Sequence, residues 1–239
     1  MVLSGSRGAL LRKPYSDKPG HFGLLTTSLE TMDSMAQRIA NSKFQMNTHA
    51  IGDSANHALL TIYTKALKDQ KDRRWRIEHA QIISPEDFEK FKTIIPSVQP
   101  THATSDMYWA KDRLGDERIK GAYAYKKLLD ANGKIALGTD FPVEQVSPFL
   151  TFYAAVARQD IYQFPKEGFQ MENALTREET LKGMTIWAAY ANFEEKEKGS
   201  IEVGKFADFV ILDKNIMVID NNEIPSVKAV KTFVGGVEQ

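Results

Sequence analysis

The 239-residue sequence contains no cysteine. That absence excludes thiolate nucleophiles, cysteine-ligated zinc and disulfides together. It leaves the compartment open, with a cytoplasmic location as the expectation. There is also no excess of either charge, since 31 Lys and Arg balance 31 Asp and Glu. A one-sided basic field of the kind that grips nucleic acid is therefore missing. The short basic run Lys71, Arg73, Arg74 and Arg76 is interleaved with Asp69 and Asp72 and reads as a solvated helix end and strand entry. No stretch approaches the roughly 20 apolar residues of a membrane span, and the N-terminus lacks the charged-then-apolar pattern of a signal peptide. No glycine-rich phosphate loop follows any predicted strand, which weighs against a nucleotide-binding doubly wound sheet.

What is present is an ordinary globular composition, 42% hydrophobic and 26% charged, enough to bury a core without a covalent or metal staple. Gly, Ser and Pro mark turns over residues 1–30, including Ser4-Gly5-Ser6-Arg7-Gly8. A helix is predicted from Ser28, its N-cap, to Ala40. A strand-then-helix unit then recurs. Strands are predicted at 44–49, 76–80, 94–99 and 134–139. Helices are predicted at 54–68, from Ser84-Pro85 onward, at 118–131 after a long loop, and at 148–158. Such alternation signals a parallel sheet with right-handed crossovers. A further helix over 175–191 opens with Thr176 and Glu179 in capping-box spacing. Beyond residue 199 short β runs without helices suggest a small β appendage.

The chemistry gathers at strand ends. His49 closes the first predicted strand, His79 the second and Asp140 the fourth. His49 and His79 lie 30 residues apart, and His79 and Asp140 lie 61 apart. A (β/α)8 barrel spends about 30 residues per unit and carries function at the C-terminal ends of its strands. One unit and then two therefore separate these three groups. Asp140 ends the apolar run Ile135-Ala136-Leu137-Gly138-Thr139, where a carboxylate needs a cation or a donor. Asp53 fits an N-cap, His57 a surface or packing residue, and Glu78 either a residue behind the site or a plain salt bridge. His102, in the polar segment after the third strand, either binds substrate or orders its loop. Tyr108 and Trp109 either wall a pocket or simply pack. Four strands leave a barrel open, since closure takes about eight. The sequence thus reads as half a barrel: a fragment, a truncated frame or one part of a split enzyme.

The runs Thr48-His49-Ala50-Ile51-Gly52-Asp53, Arg76-Ile77-Glu78-His79-Ala80-Gln81, Ser97-Val98-Gln99-Pro100-Thr101-His102 and Leu137-Gly138-Thr139-Asp140-Phe141-Pro142 together resemble the amidohydrolase superfamily. The likeness is to its amidohydrolase-3 branch, which includes N-substituted formamide deformylases. The run from Gly199 to Phe209 resembles that family's return into a β-sandwich. The resemblance implies the C-terminal half of a metal-dependent hydrolase TIM barrel, strands five to eight, over residues 1–198, with a small β-sandwich appendage over 199–239. It implies one or two divalent ions, often zinc, with His49, His79 and Asp140 as ligands. It makes Asp140 also the group that takes a proton from the attacking water, and a small amide-type molecule the substrate. The family's opening His-x-His pair has no counterpart here, and neither does its strand-four lysine or glutamate; Ser4 to Gly8 resembles the segment just after that residue. Expected partners are therefore a missing N-terminal half or a second copy, with no nucleic acid and no membrane. Little turnover is expected from this chain alone. Two alternatives stay open: an inactive half-barrel that self-associates, and a mononuclear deaminase-like hydrolase.

Overall fold

A computed structural model describes residues 5–68 and 70–239. Ser4 of the first predicted turn and Asp69 of the charged run lie outside the described residues. The chain divides into two compact units, one of residues 1–98 with 106–135, the other of 99–105 with 136–239.

The first unit opens with helix α1 (Leu29–Ala40), capped by the Ser28 side chain, which accepts from the Thr31 N–H. Strand β1 (Asn47–Ala50), helix α2 (Asp53–Leu67), strand β2 (Arg76–His79), a 3-10 helix (Pro85–Thr93) and strand β3 (Ile95–Val98) follow. The strands pair in parallel, Asn47 opposite Arg76 and Arg76 opposite Ile95, as the alternation of elements requires. Ile77, Val98 and Trp75 are fully buried beside them. The basic run has a structural task. Arg73 donates to the carbonyls of Ile39, Ala40, Ser42 and Phe44 at 2.8–3.1 Å, tying down the last turn of α1 and the segment that leaves it. Arg74 pairs with Asp72.

Several expectations are corrected. β1 begins at Asn47, three residues after the predicted start. Gly52, not Asp53, is the N-cap of α2. A Cβ at Gly52 would sit 1.9 Å from the Leu10 carbonyl oxygen. The glycine is there because two chain segments touch, and its φ of −73° is ordinary. Asp53 ties the same approach, its Oδ1 accepting from the Arg12 N–H at 2.9 Å. Ser84 caps nothing through its side chain, and the segment after it is 3-10. The long polar loop expected after β3 is helix α3 (Pro100–Arg118), with a break at Gly115 (φ 77°, ψ 173°). Its buried side includes Ala103 and Ala110; residues that small give a helix face almost no hydrophobic contrast. Proline at the first helical position suits that start. Helix α4 (Tyr125–Asn132) then ends at left-handed Gly133, starting later than predicted but closing where expected.

In the second unit, strand β4 (Ala136–Leu137) keeps only two residues of the predicted run. Helix α5 (Pro148–Ala157) follows. The helix expected over 175–191 is two, α6 (Arg177–Met184) and α7 (Ile186–Ala191), broken at Thr185 (φ −127°, ψ −95°). Its capping box between Thr176 and Glu179 is present. Strands β5 (Phe209–Leu212), β6 (Ala229–Val234) and β7 (Val237–Glu238) form an antiparallel three-stranded sheet. No described helix is long and apolar enough to cross a membrane.

Candidate metal centre

In the first unit the parallel register sets His49 opposite Glu78 and Ala50 opposite His79. The two imidazoles thus emerge from adjacent strand ends, with ring centroids 4.5 Å apart in an edge-on arrangement. His79 is buried, whereas His49 is exposed. At His79 and Ala80 the backbone turns into the left-handed region, φ 73° and 42°. That conformation is costly for residues other than glycine and persists only where surroundings impose it. Here they do. The buried Asn56 amide donates to the carbonyls of Ala50, Ile51, Gly52 and Ile82 at 3.0–3.3 Å, joining the turns that follow β1 and β2. Gln81 donates to Asp106 and to the Tyr123 hydroxyl, both at 2.9 Å. Tyr123 in turn donates to Asp106 at 2.8 Å. Burial, reinforced by the Asp106 charge, pushes the Tyr123 phenol well above its ordinary pKa, so it stays a donor. Glu78 makes the plain salt bridge, 3.0 Å from Arg76 Nε.

In the second unit Asp140 lies three residues past β4, itself left-handed at φ 58°. A turn closed by the Val143 N–H on the Asp140 carbonyl, 2.8 Å, brings Glu144 back toward it. His102, in the first turn of α3 and buried, stands between the two carboxylates. Its Nδ1 is 2.9 Å from Glu144 Oε1, and its Nε2 is 3.3 Å from Asp140 Oδ2. The Ser105 hydroxyl donates to the same Glu144 oxygen at 2.6 Å. Burial alone would raise the Glu144 carboxyl, but hydrogen bonds from His102 and Ser105 outweigh it and hold it below the usual carboxylate range. Asp140 Oδ2 is buried and, among the described residues, accepts no hydrogen bond; the His102 contact is within ion-pair reach but out of hydrogen-bond alignment.

The structure therefore brings His49 to His79 in one unit and Asp140 to His102 in the other. Glu144 is the site residue that sequence reasoning missed. Its only signal is its spacing, four residues after Asp140 and just past a proline turn. His57 is a partly exposed surface residue whose Nδ1 lies 2.9 Å from the buried Asp87. Trp109 packs, lying under Arg113 and against Gly5, while Tyr108 is exposed.

Residues 2–238 match the model of the amidohydrolase family Amidohydro_3. The chain is 36% identical over 97% of its length to the protein LONG AFTER FAR-RED 3 of Arabidopsis thaliana, spanning 40% of that protein. It is 25% identical over 91% of its length to an N-substituted formamide deformylase of Arthrobacter pascens, again spanning 40%. Among solved structures, an uncharacterized metal-dependent hydrolase of Pyrococcus horikoshii superposes with a TM-score of 0.80 at 30% identity, over 92% of this chain and 44% of that one. The chain thus spans about two-fifths of the length of the curated relatives it matches. With a family model matched over nearly its whole length and an α/β fold built on parallel strands, this chain belongs to the amidohydrolase family.

Proposed function

We propose that the chain serves a metal-dependent hydrolase of non-peptide carbon–nitrogen bonds, acting on a small amide-type molecule. His49, His79 and Asp140 are the ligands of a divalent ion, for which zinc is the best match. In this reading residues 1–198 supply strands five to eight of a (β/α)8 barrel and residues 199–239 a β appendage.

The observation that carries the reading is the Asp140 carboxylate. One of its oxygens is buried without a hydrogen bond among the described residues, a costly state for a charged group. A cation relieves it. Two imidazoles 4.5 Å apart at neighbouring strand ends add nitrogen donors of the type that zinc favours. The donor set therefore fits the metal. When bound, such an ion polarises a carbonyl and acidifies water. Asp140 would accept a proton from the attacking water at the carboxylate oxygen that does not face the ion and deliver it to the leaving amine, as a general base and then acid. The rigid turns around His79, fixed by Asn56 and Gln81, hold one imidazole before any ligand arrives. His102, beside Asp140, borders the position where substrate would meet that carboxylate.

The relatives extend well beyond the matched segment, so further ligands are assigned to the region outside it, and this chain alone is expected to hold metal weakly. The test is turnover by the complete polypeptide of N-substituted formamides and other linear amides, beside cyclic amidines, with chelator and then zinc. Loss with chelator and recovery with zinc on linear amides is expected. Chelator-insensitive turnover, or turnover confined to rings, would overturn the proposal.

A further inference from the structure

We infer that Asp106 is a positioning residue that, through the Gln81 and Tyr123 side chains, holds the left-handed turn after β2 and so aims the His79 imidazole; the inference rests on His79 being a metal ligand. β2 ends at His79, where the backbone turns through φ 73° at His79 and 42° at Ala80. Beyond that turn the chain is stitched on both sides. The Ile82 N–H donates to the Ile51 carbonyl at 2.9 Å, and the Ile83 N–H to the Gly121 carbonyl at 2.9 Å. The Tyr123 N–H donates to the Gln81 carbonyl at 2.8 Å, and Tyr123 is itself left-handed at φ 54°. Three residues other than glycine thus share a costly conformation at one place.

One carboxylate oxygen closes this arrangement. Asp106 Oδ2 accepts from Gln81 Nε2 at 2.9 Å and from the Tyr123 hydroxyl at 2.8 Å. Gln81 also donates to the Tyr123 oxygen at 2.9 Å, so both of its amide hydrogens are committed. A carboxylate only accepts, so Asp106 dictates which way the amide and the hydroxyl point. Gln81 and Tyr123 are buried, and water does not freely replace a lost acceptor there. With Asp106 gone, two buried donors lose their acceptor and the turn can relax. The direction in which a side chain leaves the backbone follows φ and ψ. A relaxed turn therefore swings the His79 ring from its place edge-on to His49. A network that only filled the core would add stability without governing the imidazole, so the two roles separate by experiment.

The experiment compares wild type, Asp106→Ala, Asp106→Asn, Gln81→Met and Asp87→Ala as complete polypeptides. Zinc affinity is read by competition with a chelator. NMR of the metal-free protein reads the backbone coupling and carbon shifts of His79, which report its left-handed φ. Asp106→Ala and Gln81→Met should each weaken zinc binding roughly tenfold or more, the usual cost of losing a group that orients a ligand. In both, the His79 signals should move toward those of an ordinary backbone. Asp106→Asn, which keeps an acceptor oxygen, should recover much of the affinity that Asp106→Ala loses. Asp87→Ala removes a buried carboxylate that pairs with His57, Lys90 and Arg12; it should lose stability and keep wild-type zinc affinity. Gln81→Met leaves the Tyr123–Asp106 bond in place and carries the test even where Asp106→Ala does not fold. Unmoved His79 signals in Gln81→Met overturn the inference, as does wild-type zinc affinity in Gln81→Met or in a folded Asp106→Ala. An Asp106→Asn loss as large as that of Asp106→Ala overturns it too. A wild type that binds no zinc, with His79 still relaxing in Gln81→Met, would instead sink the metal proposal and leave Asp106's hold on the turn standing.

Discussion

Asp87 is a fully buried carboxylate and Asp140 a partly buried one with one oxygen sealed from water, and their surroundings could hardly differ more. Asp87 has a fully buried side chain. It faces His57 at 2.9 Å, Lys90 at 2.8 Å and Arg12 at 3.3 Å. Burial by itself would raise its pKa, but hydrogen bonds from Lys90 and His57 outweigh that and hold the carboxyl below its ordinary value. Every demand of the charge is met inside the protein. Asp140 has the His102 imidazole beside it and an oxygen that accepts no hydrogen bond among the described residues. Its backbone is left-handed. The difference teaches that burial of an acid is no sign of function; incomplete pairing is. A saturated carboxylate joins elements, here α2 to the 3-10 helix, while an unsaturated one is available to a cation or a proton.

The contrast can be broken in four places. The largest effect is expected from Asp140→Asn, which should cut turnover of the complete polypeptide by about 10²- to 10⁴-fold, the usual worth of a positioned acid–base group. Its unfolding midpoint in urea should be no lower than wild type without metal. Asp87→Ala should do the reverse. It strands Lys90, Arg12 and the His57 imidazole and should cost about 3 kcal/mol in urea unfolding, with bound zinc per chain unchanged. Third, the pairing of Asp87 should show in the pH dependence of stability. The folded-state pKa of Asp87 lies below its unfolded value, so its stabilisation is complete above an ordinary carboxylate pKa of about 4 and is lost as pH falls through the lower folded value. Below about pH 4, wild type should therefore lose stability more steeply than Asp87→Asn. The smallest effect belongs to an exposed pair. Asp130, 61% exposed and 2.7 Å from Lys126, should change stability by no more than about 0.5 kcal/mol when replaced by Asn.

Part of the candidate site is legible in the sequence because strands announce themselves by apolar runs. His49, His79 and Asp140 stand out as polar groups at or just after such runs, and the structure sets the first two side by side. Helix α3 was not legible. Its buried side holds alanines, its exposed side is mixed, and its opening Gln99-Pro100-Thr101 reads as loop chemistry. His102 therefore looked like a loop residue, although it is fixed in a first helical turn. Glu144 was missed because nothing local distinguishes it from a solvated glutamate; its partners, His102 and Ser105, lie about forty residues earlier. Asp53 was misplaced by one position, since the cap geometry depends on how closely Leu10 approaches Gly52. Contacts distant in sequence, and small-residue packing, are what local patterns do not encode.

X-ray absorption at the zinc edge, on zinc-loaded complete polypeptide and on the His49→Ala, His79→Ala and Asp140→Asn variants, tests the central claim most directly. Imidazole nitrogens at about 2.0–2.1 Å and a carboxylate oxygen at about 2.0–2.2 Å are expected. Each histidine variant should lose imidazole scattering, and Asp140→Asn should alter the oxygen shell. A zinc spectrum identical in all four proteins would contradict it.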